Sequence, residues 1–143
     1  MPLIVKAPGL SPGRRRQLVG LQDVLPTLCD LAGVASPGGI DGLSFLPTLL
    51  GQTDRQKPHA YLYWEFHERG GKRAVRKGRW KAIQRNLNKK TPGPVLLFDL
   101  ATDLGEQRNV ADAHPEIVAE MKRLFAEAHT PSAIWRFGGV KGG

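Results

Sequence analysis

The histidines and their acidic neighbours are the residues of this chain best suited to chemistry. Of the four histidines, His59, His114 and His129 have no partner at the spacing of a helical metal motif. His67 differs, because Glu65 and Glu68 flank it at the end of a strand-like segment, beside a basic stretch. The spacing therefore indicates one polar cluster and no metal motif.

Other catalytic patterns are missing from the sequence. The glycine pairs lack the strand–loop–helix context of a phosphate loop, and no Gly-x-Ser-x-Gly elbow occurs. Asp99, Asp103 and Glu106 lack the spacing of a calcium loop, so turn and capping roles are favoured for them. Cys29 is the single cysteine; it cannot form an internal disulfide, and a small buried apolar residue is the favoured interpretation.

The positive charge is concentrated. The net charge is +8, and the stretch from Arg69 to Lys90 holds ten Lys or Arg residues and no Asp or Glu. Such a stretch attracts nucleic acid, anionic lipid or sulfated sugar, or it forms a solvated face of a sheet. Trp80 is its one aromatic residue, whereas a stacking platform for nucleic acid needs two or three. Nucleic acid is therefore the less favoured partner.

Length and hydropathy place the chain among globular proteins. It has 143 residues, of which 41% are hydrophobic, enough for one domain with a core. No apolar run approaches the roughly 20 residues that span a bilayer, and no signal peptide is visible. We expect no membrane association, and the compartment stays open.

The first third of the chain has the pattern of an α/β protein. Residues 2–6 predict a short buried strand, and residues 23–32 predict a helix capped by Asp23 and ended by Gly33. A second, shorter helix is predicted within 41–51. A fully apolar strand followed by a helix is typical of a parallel sheet, so we interpret residues 1–58 as the remnant of a larger α/β domain.

The rest of the chain predicts an antiparallel sheet and one long helix. The strands fall at 60–67, 73–76, 79–84 and 95–100, with a hairpin turn at Lys77-Gly78. From Pro115 to Ala128, apolar residues recur every three or four positions, which indicates an amphipathic helix. The predicted fold class is α+β, with this subdomain at 59–131 and a flexible tail at 132–143.

Several segments together resemble the C-terminal region of the sulfatases, the alkaline-phosphatase-like hydrolases of sulfate esters. Residues 21–33, LQDVLPTLCDLAG, are similar to the family's D-x-x-P-T-x-x-x-x-A-G helix, and residues 40–47, IDGLSFLP, to its DG-x-S segment. Residues 73–81, RAVRKGRWK, resemble its R-A-V-R-x-G-x-W-K hairpin. Residues 97–111 resemble its LYDL-x-x-DP-x-E-x-x-N-LA segment, with Leu104 in place of proline. The resemblance implies a small four-stranded antiparallel subdomain with one helix.

The resemblance also implies which functional parts belong elsewhere. Sulfatases use a formylglycine made from the cysteine or serine of a C/S-x-P-x-R motif, calcium held by paired aspartates, and a catalytic lysine. Cys29 is followed by Asp30-Leu31, so it is not that cysteine. We expect no catalytic residue, metal ligand or cofactor in this chain, and calcium and formylglycine only in an N-terminal part that precedes it. The chain alone should then be inactive.

The resemblance implies a supporting role and a set of partners. In the family this subdomain borders the mouth of the active site, so Glu65, His67, Arg73 and Arg76 are the expected substrate contacts. The two arginines could hold a sulfate or carboxylate of a sugar; cross-strand ion pairs with Glu65 or Glu68 are the alternative.

The expected partners are the N-terminal sulfatase half, a second copy through the exposed sheet edge, and a sulfated anionic substrate. Full-length sulfatases are often periplasmic or secreted. The competing hypothesis is a small basic module that binds nucleic acid or sulfated polyanions.

Overall fold

The computed structural model describes residues 3–132, 134 and 137. The chain divides into two compact units between Ala60 and Tyr61. None of the helices formed by the described residues has the length and apolar character needed to cross a bilayer. Of the predicted tail at 132–143, only Ser132, Ile134 and Phe137 are described.

The first unit is built from short helices. A 3-10 turn at Leu21–Asp23 leads into helix α1, Val24–Ala32, and helix α2, Leu46–Leu49, is followed by a 3-10 turn at Thr53–Arg55. Helix α1 ends as the sequence predicts, at Gly33, whose φ of 68° is the left-handed conformation that glycine adopts without strain.

Asp23 is the buried centre of the first unit. Its carboxylate accepts hydrogen bonds from the backbone N–H groups of Gly20 at 2.7 Å and Leu43 at 2.8 Å, and it lies 2.8 Å from His59 Nε2. Asp23 is the N-cap residue of α1, as predicted, but its side chain makes no hydrogen bond to the N-terminus of that helix. A fully buried carboxylate needs partners, and here they come from three separate stretches of the unit.

Apolar side chains of the first unit remain exposed. Residues 3–6 form no strand, contrary to the prediction, because no described residue offers them a partner strand. Ile4 is 90% exposed. On α1, Leu25, Leu28 and Leu31 are 49%, 56% and 59% exposed. The sequence predicts burial of the apolar side chains of residues 3–6, but no described residue covers them or the leucines of α1.

The second unit contains a four-stranded antiparallel sheet in the order β1-β2-β3-β4. The strands are β1 Leu62–Phe66, β2 Lys72–Lys77, β3 Trp80–Arg85 and β4 Val95–Asp99. Strands β2 and β3 are joined by Gly78-Arg79, one residue later than the predicted turn. The sheet and the long helix beside it confirm the predicted fold class.

Helix α3, Pro115–Ala128, packs against one face of this sheet. Its Met121 and Phe125 are fully buried against Val75, Ala82 and Leu97, which come from three neighbouring strands. Alternation along each strand then sends every second side chain to the opposite face. Two polar contacts hold the helix at its sides, from Lys77 Nζ to Glu120 at 2.5 Å and from the Tyr61 hydroxyl to Glu127 at 3.2 Å.

The connection from β4 to α3 is ordered by acidic and amide side chains, and Asp103 has the turn role predicted for it. Asp103 accepts the backbone N–H groups of Gln107 and Arg108 at 2.8 Å each. Asn109 Oδ1 accepts the N–H of Leu97 at 2.9 Å and so ties the connection to β4.

Replacement of Phe125 tests whether this helix–sheet contact stabilises the second unit. Phe125→Ala should lower the free energy of unfolding by about 3–5 kcal/mol, since it removes a large buried ring and leaves a cavity. Urea denaturation followed by circular dichroism measures the change. Leu104→Ala, at a position that is 80% exposed, is the control and should change stability little. Equal effects of the two substitutions would contradict the assigned core.

Candidate functional site

Glu65 lies at the centre of the polar cluster that the sequence indicated. It is on β1, on the same sheet face as α3, and its side chain is 18% exposed. The ring of His67 follows one residue after the strand ends, with Nε2 3.1 Å from Glu65 Oε2. His129, just after α3, brings Nδ1 to 2.5 Å from Glu65 Oε1. The hydroxyl of Tyr63 donates a hydrogen bond to the same oxygen.

The contacts around Glu65 set its charge state. Burial pushes the pKa of Glu65 upward, but hydrogen bonds from Tyr63, His129 and His67 favour the ionised form and hold the pKa below its ordinary value. Burial also raises the pKa of Tyr63, and the neighbouring Glu65 raises it further. The cluster is therefore an ionised carboxylate ringed by a neutral phenol and two imidazoles.

Arg73 lies on the same sheet face as Glu65, as its register partner on β2. Its Nε and Nη2 donate to Gln84 Oε1 at 3.1 and 2.8 Å, and the guanidinium carbon lies 4.5 Å from the centre of the Phe125 ring. The guanidinium is therefore held by an amide and a ring, and the predicted alternative of an ion pair with Glu65 is not among its contacts.

Arg76 lies on the other face of the sheet. It is the register partner of Leu62 and Lys81, and its Nε donates to the backbone oxygen of Gly78 at 3.4 Å. The structure thus brings together three of the four predicted site residues and separates the fourth from them.

Two members of the cluster were not found by sequence reasoning. Tyr63 alternates with Glu65 along β1, so the two-residue period was the signal that could have placed both on one face. His129 is 64 residues from Glu65, and no local pattern links them. Only the packing of α3 on the sheet brings this histidine to the carboxylate.

The basic stretch of residues 69–90 is divided between the two faces. Lys77, Arg79 and Lys81 each form an ion pair, with Glu120, Asp99 and Glu106 respectively. On the face opposite α3, a depression of about 440 Å³ is lined by aromatic and basic side chains, among them Trp64, Phe66, Lys72 and Arg85. We call this the basic face.

Comparison with known proteins yields consistent matches. The family model described as N-sulphoglucosamine sulphohydrolase, C-terminal, matches residues 1–130. The arylsulfatase K of Danio rerio is 33% identical over 134 residues, which cover 87% of this chain and 25% of that protein. The Delta 4,5-hexuronate-2-O-sulfatase of Bacteroides thetaiotaomicron is 35% identical over 120 residues, covering 77% and 23%. The solved structure of a 2-O GAG sulfatase superposes with a TM-score of 0.63 at 34% identity, covering 74% of this chain and 23% of that one.

This chain belongs to the sulfatase family. It corresponds to the C-terminal region of those enzymes, which confirms the resemblance noted in the sequence. The chain spans about a quarter of the length of the curated sulfatases it matches. The competing hypothesis of a separate basic binding module gains no support from these matches.

The calcium that the resemblance to sulfatases implies finds no fitting set of ligands among the described residues. Within residues 3–132, 134 and 137, no group of three or more His, Cys, Asp or Glu side chains could hold a metal ion. Cys29 lies half-buried on α1, followed by Asp30 rather than by the residues of the formylglycine motif. No step of sulfate ester hydrolysis is therefore assigned to a metal or formylglycine held here.

The pH dependence of stability tests the Glu65 cluster. Because the folded state holds the pKa of Glu65 below its ordinary value of 4.5, this carboxylate stabilises the fold above that pH. The contribution is lost as the pH falls through the folded pKa. Glu65→Gln should therefore reduce the acid-induced loss of stability, measured by urea denaturation between about pH 3 and 7.

The control is Glu68→Gln, which removes the same charge from an exposed position three residues away. It should leave the acid dependence close to that of the unmodified chain. If the Glu65 and Glu68 variants have the same pH profile, the hydrogen bonds at Glu65 do not stabilise its ionised form.

Proposed function

We propose that this chain is the C-terminal part of a sulfuric ester hydrolase that acts on sulfated sugars. In this proposal it supports the enzyme structurally and lines the mouth of the substrate site, and it supplies no nucleophile. The observation that carries the proposal is the convergence of His67, His129 and Tyr63 on Glu65 at the end of β1.

The chemistry of the cluster suits an anionic sugar. Glu65 holds both histidines by hydrogen bonds and so positions their rings, and His67 also stacks on Phe137 with ring centres 4.3 Å apart. Arg73 uses two of its five N–H donors on Gln84, and a guanidinium presents its donors in a planar fork that matches a sulfate or carboxylate. His67 and Arg73 are thus the proposed substrate contacts, with Glu65 as a positioning residue. Arg76 stays a prediction, and from the opposite face it would contact a different part of a substrate.

The names of the relatives motivate the substrate class. One relative is a hexuronate-2-O-sulfatase and one solved neighbour is a 2-O GAG sulfatase, at 35% and 34% identity. We infer from them that the whole enzyme hydrolyses a sulfate ester on a sugar. Arylsulfatase K, at 33% identity, makes an aryl sulfate a reasonable second assay substrate.

The exposed apolar face of α1 supports an N-terminal partner. Leu25, Leu28 and Leu31 recur at helical spacing and are each about half exposed or more. A stripe of leucines on a helix is typical of packing against a sheet. The proposed cover is the α/β part of the sulfatase that carries the nucleophile and the calcium ligands.

A chimeric enzyme tests this role. In the Bacteroides thetaiotaomicron hexuronate sulfatase, the matched segment is replaced by this chain, and sulfate release from a 2-O-sulfated unsaturated disaccharide is measured. The chimera should be active, and this chain alone should release no sulfate. His67→Ala in the chimera should lower kcat/KM roughly tenfold, mainly through KM, because one charge-assisted contact to the substrate is lost.

Arg123→Ala provides the control for this experiment. Arg123 is exposed on α3, so its loss removes a positive charge away from the cluster. Sulfate release by the chain alone would refute the non-catalytic role. Equal kinetics of the His67 and Arg123 variants would refute the substrate contact and leave family membership intact.

A further inference from the structure

The basic face combines exposed aromatic rings with cations in a regular array. Trp64 and Phe66 are each 41% exposed and lie two residues apart on β1. Their side chains therefore project from the same face of the sheet, about 7 Å apart along the strand. Large aromatic side chains this exposed offer flat apolar surfaces to a ligand.

The strand register arranges the depression in two rows. The first row crosses the sheet from Trp64 through Ala74 to Ile83, so the small Ala74 side chain makes a floor beside the indole. The second row runs from Phe66 through Lys72 to Arg85. Neighbouring strands are about 4.8 Å apart, which is roughly the width of one sugar ring. An apolar floor thus lies directly beside a row of cations.

The cations of the second row are available to a ligand. Lys72 lies over the Phe66 ring at 4.7 Å, and Lys72 and Arg85 are both exposed. Neither side chain forms an ion pair with any carboxylate of the described residues, whereas Lys81 on the same face pairs with Glu106 at 2.5 Å. Positive charge without a protein counter-ion is therefore concentrated at one end of the depression.

We propose that the depression on the basic face is a binding site for a sulfated oligosaccharide. The C–H face of a sugar ring packs on Trp64 above Ala74, and a sulfate group accepts charge-assisted hydrogen bonds from Lys72 and Arg85. Neither a neutral sugar nor a simple anion uses both rows. The preference for sulfate over other anionic groups rests on the proposed function, whereas the site itself rests on the geometry of this face.

Binding of a heparin-derived octasaccharide to the full chain tests the site, by isothermal titration calorimetry at two salt concentrations. The double variant Lys72→Gln/Arg85→Gln should weaken binding by tenfold or more and reduce the salt dependence. Trp64→Ala should weaken binding roughly tenfold with the salt dependence retained, because it removes stacking and leaves the charges. Thermal unfolding of each variant verifies that it is folded.

The matched control is Lys122→Gln/Arg123→Gln, which removes the same two charges from the exposed side of α3. It should bind the octasaccharide as the unmodified chain does. Equal weakening by both double variants would overturn the site, because net charge alone would then explain binding. Equal or tighter binding of the desulfated octasaccharide, or of a single-stranded oligonucleotide, would overturn the assigned ligand.

The chimeric sulfatase separates this site from the proposed function. If the chimera hydrolyses its substrate and binds the octasaccharide through Lys72 and Arg85, both inferences hold. If it hydrolyses its substrate and these two positions no longer matter for binding, the rest of the enzyme covers the basic face and the site is overturned alone. If the chimera is inactive while this chain binds through the two positions, the site stands and the proposed function fails.

Discussion

Burial of one side of α3 against the sheet is the constraint on which the second unit depends. Phe125 and Met121 reach full burial only over the row formed by Val75, Ala82 and Leu97. Because side chains alternate along a strand, this single contact decides on which face of the sheet each of the remaining strand residues lies. A shift of one residue in β2 or β3 would place charged side chains, such as Arg76 or Lys81, under the helix.

The same constraint divides one continuous basic stretch into two groups with different surroundings. On the helix side, cations meet partners: Lys77 binds Glu120, and Arg73 lies between Gln84 and the Phe125 ring. On the other side, Lys72 and Arg85 meet no carboxylate among the described residues and border exposed rings. One basic stretch thus supplies candidate ligand contacts on both sides of the sheet.

The first unit is held by a different kind of interaction. A buried carboxylate, Asp23, joins two backbone N–H groups and His59, and its burial would be costly without them. Around it, the leucines of α1 stay exposed. The hydrogen bonds of Asp23 thus define the path of the chain in the first unit. The leucines of α1, which could complete a core, are not covered by the described residues.

The sequence by itself determined the family, the four strands, the long helix and its apolar stripe, because periodicity and turn residues are local properties. It also indicated Glu65 and His67, which are close in the chain. The tertiary structure alone decided that His129 completes their cluster and that Arg76 lies on the opposite face. It also decided that residues 3–6 form no strand. Each of these depends on contacts between distant residues, or on the lack of a partner strand among the described residues, and no spacing along the chain records either.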